Sequence, residues 1–137
     1  IDVLPLPDGT RLPVRIPGAS FTVDVTRPAG HDGLAAVVPG SDRRFQYTVK
    51  DVALPATGTV TVGGRQYPVP EGSWAVLDHG RGRWPYDVAW NWAAASGVSD
   101  GRVIGLQLGG KWTQGTGSPE NGVVVDGRLH KIHDELD

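Results

Sequence analysis

Residues 44–54 read Arg-Phe-Gln-Tyr-Thr-Val-Lys-Asp-Val-Ala-Leu, and the first part alternates without a break. Phe45, Tyr47 and Val49 fall on one side; Gln46, Thr48 and Lys50 fall on the other. A period of two is the mark of a half-buried β-strand, because a helix would bring its apolar residues back every three or four positions. Thr59-Val60-Thr61-Val62 repeats the pattern. Working outward, strand-length apolar runs bounded by turn residues stand at 21–25, 34–38, 74–77, 88–94, 103–108 and 123–125. Residues 89–95 also compete for a helix through their alanines, but Trp90 and Trp92, two apart, favour one face of a strand.

The turns support the same reading. Asp8-Gly9, Gly63-Gly64, Asp100-Gly101 and Asp126-Gly127 are tight-hairpin dipeptides flanked by apolar or alternating residues. Twenty glycines and eleven prolines are scattered as punctuation, and no repeat or low-complexity tract interrupts them. The expectation is an all-β chain, an antiparallel meander closed as a barrel or packed as a sandwich. At 137 residues it has the size of one domain, enough to bury roughly 68% of its unfolded surface.

Bulk composition excludes several classes. The formal charge is −2, and the thirteen Lys and Arg residues are dispersed, so no basic face is available for nucleic acid or an anionic membrane. Absence of cysteine removes disulfides, thiolate metal sites and cysteine nucleophiles. No apolar run approaches the ~20 residues of a membrane span, and no signal segment stands at the start, so a soluble, cytoplasmic chain is expected. There is no methionine, and the chain opens on Ile1-Asp2-Val3, which reads as a piece of a longer protein. The His133-Asp134-Glu135-Leu136 tetrapeptide resembles a retention signal, but Asp137 follows it and the signal must be terminal. Ten arginines against three lysines suit a GC-rich bacterial genome.

Four of the five tryptophans lie between Trp74 and Trp92, in a stretch that also holds Asp78, His79, Arg81, Arg83, Trp84, Tyr86 and Asn91. Alternation from Trp74 places Val76 and Asp78 on its face and Leu77 and His79 on the other. Two readings of Asp78 follow. In one it is a general acid or base facing an aromatic cavity. In the other it forms an ion pair with Arg81 or Arg83 that ties a turn. His79 has the same two readings, catalyst or hydrogen-bonded residue, and the tryptophans are either core or ligand platform. Residues 109–117, Gly-Gly-Lys-Trp-Thr-Gln-Gly-Thr-Gly, lack the order of a phosphate loop and precede no helix, so they are expected to form a flexible loop at a barrel mouth. Trp112 lies within it, and Glu120 and Asn121 close it, as a backbone clamp or as ligand contacts. His130 and His133 follow a strand, where their side chains diverge, so no metal site is expected. Nor is there a Gly-x-Ser-x-Gly elbow. No cofactor is implied.

The runs Phe45-Gln-Tyr-Thr-Val-Lys50, Leu77-Asp-His-Gly-Arg-Gly-Arg-Trp-Pro-Tyr86, Trp90-Asn-Trp-Ala-Ala-Ala-Ser-Gly97, Gly110-Lys-Trp-Thr-Gln-Gly-Thr-Gly117 and Glu120-Asn-Gly-Val-Val-Val-Asp-Gly-Arg128 together resemble the bacterial family called domain of unknown function 2804. The resemblance covers about residues 34–133, the first thirty matching loosely, and it implies a chain more than twice this length. More distantly, Leu77-Asp78-His79 followed by Trp90-Asn91-Trp92 resembles the AttH and carotenoid-hydratase superfamily of paired lipocalin-like barrels, some of which hydrate or cyclise polyenes and terpenoids. That resemblance implies a lipocalin-like barrel or part of one, an apolar small-molecule ligand, and acid catalysis by Asp78 and, less directly, His79. The rival reading is a structural half-domain whose tryptophans form core or a seam with a second barrel. Unpaired strand edges imply a homodimer or pairing with that second barrel.

Overall fold

The computed structural model describes residues 1–136. Ten strands follow one another: β1 (Leu4–Leu6), β2 (Gly9–Ile16), β3 (Ala19–Thr26), β4 (Leu34–Ser41), β5 (Arg44–Val62), β6 (Arg65–Gly82), β7 (Asn91–Ser99), β8 (Arg102–Gly110), β9 (Asn121–Val125) and β10 (Arg128–Ile132). Among the described residues there is no helix, so none is long and apolar enough to cross a membrane. The pairings are antiparallel. All four anticipated hairpins form. Three of them place both central residues in the left-handed region, as the mirror-image turns that suit twisted strands require: Gly63 and Gly64 (φ 56° and 81°), Asp100 and Gly101 (51° and 75°), Asp126 and Gly127 (48° and 81°). Turns at Pro17-Gly18 and Asp42-Arg43 supply two more hairpins that carry no such dipeptide.

The chain divides into two compact units. The first, Ile1–His31 with Leu54–Ala75, holds β1, β2, β3, the later part of β5 and the earlier part of β6. Here β2 pairs β3 from Gly9↔Thr26 to Ile16↔Ala19, and β3 pairs β5 from Ala19↔Val62 to Val25↔Ala56. Register puts Arg11 opposite Asp24. Their side chains meet in a forked pair, Nε to Oδ1 at 2.6 Å and NH2 to Oδ2 at 2.7 Å. That hydrogen bond holds the Asp24 carboxyl below the ordinary carboxylate range and raises the Arg11 guanidinium. The sequence marks only the Asp8-Gly9 turn between β1 and β2, not the strands' extents, because each carries a proline, Pro5 and Pro13, which lowers strand propensity.

The second unit, Asp32–Ala53 with the residues from Val76 onward, holds β4, the earlier part of β5, the end of β6, and the sheet β10-β9-β8-β7. It contains most of the buried apolar side chains: Leu34, Ala36, Val38, Val52, Ala53 and Val124. β8 lies flush on β5 because Gly105 has no side chain; a Cβ there would stand 2.6 Å from a methyl of Val52 and 3.0 Å from that of Ala53. Ala53 itself adopts a left-handed φ of 57°, and its N–H is captured by the Ser96 hydroxyl at 2.8 Å. The four-stranded sheet is open, ending at β7 on one side and β10 on the other. The closed form of the expected barrel is therefore absent from the described pairings.

Three expectations need correction. Residues 44–54 and 59–62 are parts of one nineteen-residue strand, β5, and 74–77 lies inside β6. The strand expected over 88–94 starts at Asn91, leaving Trp90 just outside it. The loop at 111–117 is sewn down rather than free: Gln114 N–H donates to the Lys111 carbonyl, Thr116 N–H to that of Thr113, and Gly115 N–H to Glu135 Oε1 at 2.6 Å. Thr113 is buried.

Candidate functional site

The alternation in β5 is real, but its faces are the reverse of what an apolar core would ask. Gln46, Thr48 and Lys50 are buried, whereas Phe45 and Tyr47 are exposed. Successive strand residues point to opposite faces, so the three polar side chains form a row on the inner face. They make the floor of a cavity of about 310 Å³ within the second unit. Asp78 and Gly80 from the end of β6 join them, with Glu120 from just before β9. The walls are four tryptophans: Trp84 and Trp90 from the segment after β6, Trp92 from β7, and Trp112 from the loop after β8.

Charge organises the floor. Lys50 Nζ lies 2.6 Å from Asp78 Oδ1 and 3.6 Å from Glu120 Oε2, with the lysine side chain 8% exposed, Asp78 48% and Glu120 2%. Burying an ammonium and a carboxylate is costly unless both are paired and hydrogen-bonded. Glu120 meets that condition. Its Oε1 accepts from the Trp112 indole N–H at 2.8 Å, and its Oε2 accepts from the Thr48 hydroxyl at 3.4 Å. Gly109 leaves room for this carboxylate: a Cβ at that position would stand 2.7 Å from Glu120 Oε1. Lys50 Nζ also stands 5.5 Å from the centre of a Trp92 ring, within cation–π reach. The Trp92 indole donates to Gln107 Oε1 at 2.6 Å, and Gln107 Nε2 donates to the Glu120 backbone carbonyl at 3.1 Å. Trp84 and Trp112 stack with centroids 5.6 Å apart and planes at 24°. The Trp84 carbonyl accepts from Arg44.

Two features of the floor remain chemically open. Gln46 is 5% exposed, and its Oε1 accepts no hydrogen bond. Two carboxylates face one ammonium, so the floor carries a net charge of −1. A second cavity of about 520 Å³ shares Gln46, Trp84 and Trp112 with the first and adds Val38, Phe45, Pro85 and Val88, with Arg83, Asp87 and Lys111 also along its lining.

Of the residues singled out in the sequence, Asp78, Trp84, Trp90, Trp92, Trp112 and Glu120 come together around the first cavity, and Arg83 lines the second. The others do not join them. Trp74 lies half-buried in the first unit. His79 and Arg81 are exposed and alternate away from Asp78 along β6. Tyr86 is 99% exposed and lines neither cavity. Asn91 opens β7 with its Oδ1 against Gly110. Asn121 is a clamp, accepting from Gly109 N–H at 2.7 Å and donating to the Asp134 carbonyl at 3.0 Å. The ion pair of Asp78 also differs from the expected one, since its partner is Lys50 rather than Arg81 or Arg83. Gln46, Thr48, Lys50 and Gln107 were missed altogether. The only signal for the first three was their alternation, which does not say which face is buried.

Comparison with known proteins yields one match. The family described as Domain of unknown function (DUF2804) matches residues 2–137, so it takes in the first thirty residues, whose motifs were only loosely similar. No curated protein and no solved structure matches the chain. From its first strand to its last, the chain belongs to the domain of unknown function 2804 family.

Proposed function

We propose that this domain binds a largely apolar small molecule bearing one polar group, with the apolar body against the tryptophans and the polar group on the floor beside the Lys50–Asp78 pair. The observation that carries this reading is the buried Lys50–Glu120 pair, with the half-exposed Asp78 beside it, facing four indole rings across a cavity of about 310 Å³. Ligand cavities combine such apolar walls with a few placed polar groups. A purely structural cluster has less reason for this form, because an apolar floor of the same volume would give equal or better stability. An aromatic core would also bury its rings, yet Trp90 is 64% exposed. Pairing with Lys50 makes Asp78 a hydrogen-bond acceptor, which supports holding a ligand over donating a proton to it.

Titrating the protein with fatty acids, terpenoids and polyenes while following tryptophan fluorescence tests the proposal. Saturable quenching or a spectral shift by at least one compound is expected at concentrations on the order of tens of micromolar. A spectrum unmoved by every member of the panel overturns it.

A further inference from the structure

We infer that the polar group of the ligand is a neutral hydrogen-bond donor, an alcohol rather than a carboxylate; this rests on the binding function proposed above and narrows its ligand class. Three observations converge on it. The floor carries one ammonium and two carboxylates, so a third negative charge would enter a net negative site. Like charges in a partly apolar enclosure repel strongly. The only cation, Lys50, is already engaged: Asp78 at 2.6 Å, Glu120 at 3.6 Å and the face of Trp92 occupy its surroundings. What the floor lacks is a donor. Asp78, about half exposed, presents its carboxylate to the cavity as an acceptor, whereas Gln46 Oε1 is buried without a partner but out of a ligand's reach. An accepting carboxylate beside an occupied cation selects a hydroxyl, which supplies a proton and adds no charge.

The apolar remainder of such a molecule has neighbouring apolar surface to cover. Trp84, Trp112 and Gln46 border both cavities, and beyond them Val38, Phe45 and Pro85 line the larger one. An alcohol seated by Asp78 can therefore extend its chain along the Trp84–Trp112 stack.

Matched pairs of ligands test the inference at a pH of about 8, where the acids are ionised: n-decanol against decanoate, and farnesol against farnesoic acid, each titrated by tryptophan fluorescence into the parent protein and Asp78→Asn. Each alcohol should bind at least about tenfold tighter than its acid, and Asp78→Asn should narrow that gap about tenfold by weakening the alcohol and relieving the acid. Acids that bind as tightly as their alcohols overturn the inference while leaving the binding function intact. So does an alcohol preference that Asp78→Asn leaves unchanged, the result expected if ligands settled near Arg83 and Lys111 instead. Failure of all four compounds, together with the wider panel, removes the binding function itself.

Discussion

Lys50 holds the charge balance of the second unit, and its two partners depend on it unequally. Glu120 is almost wholly buried, so without the ammonium its carboxylate would keep only the Thr48 and Trp112 bonds against the full cost of desolvation. Asp78 is about half exposed, and water can replace the lysine there. Lys50→Met should therefore lower stability by about 3 to 5 kcal/mol, and Asp78→Asn by about 1 kcal/mol or less, as read from urea unfolding midpoints at unchanged slope. Equal losses for the two variants would show that Glu120 does not rely on Lys50. Legibility at this scale followed rarity. Tryptophans clustered with an aspartate drew attention in the sequence, whereas Lys50, Thr48 and Gln46 looked like the solvent face of an ordinary strand. Their burial depends on packing between β5 and residues such as Glu120, seventy positions away from Lys50, and no local pattern carries that information.

Hairpins were the most legible elements, because a left-handed turn restricts residue choice in a way that strand interiors do not. Strand limits were less so. Residues 44–54 and 59–62 were read as separate stretches, yet they belong to one strand, whose pairing with β4 ends at Lys50 and whose pairing with β3 begins at Ala56. The β9–β10 turn offers a test at this scale. Asp126 accepts from Arg102 Nε at 2.8 Å and from Val103 N–H at 2.9 Å, and these bonds, the arginine's foremost, hold its carboxyl below the ordinary value of 3.8. A depressed folded-state pKa contributes stability that is present above the unfolded value and lost as pH falls through the folded one. Urea midpoints taken between pH of about 6 and about 2 should thus fall more for the parent than for Asp126→Asn, with the two curves converging at the acid end. Parallel acid limbs would mean that the turn carboxylate plays no part in acid sensitivity.

Across the described residues, cavities and burial are unevenly distributed. Every residue lining either cavity belongs to the second unit, which among the described residues also holds six of the eight buried apolar side chains, Leu54 and Ala56 belonging to the first. A ligand held in these cavities acts directly on the unit that contains them. Binding to the folded form adds RT ln(1 + [L]/Kd), about 2.7 kcal/mol at a hundredfold excess over Kd, and native-state hydrogen exchange reports which amides share that gain. With n-decanol at such an excess, slowing of exchange should be greatest in the earlier part of β5, at the end of β6 and in β7 to β9. Amides of β1 and β2, which contribute nothing to either cavity, should change least. Protection centred on β1 and β2 would place the ligand in the first unit and detach binding from the tryptophan-walled cavity. Uniform slowing throughout would have a different meaning: the two units open in one cooperative step, and the protection then measures global stability rather than the position of the site.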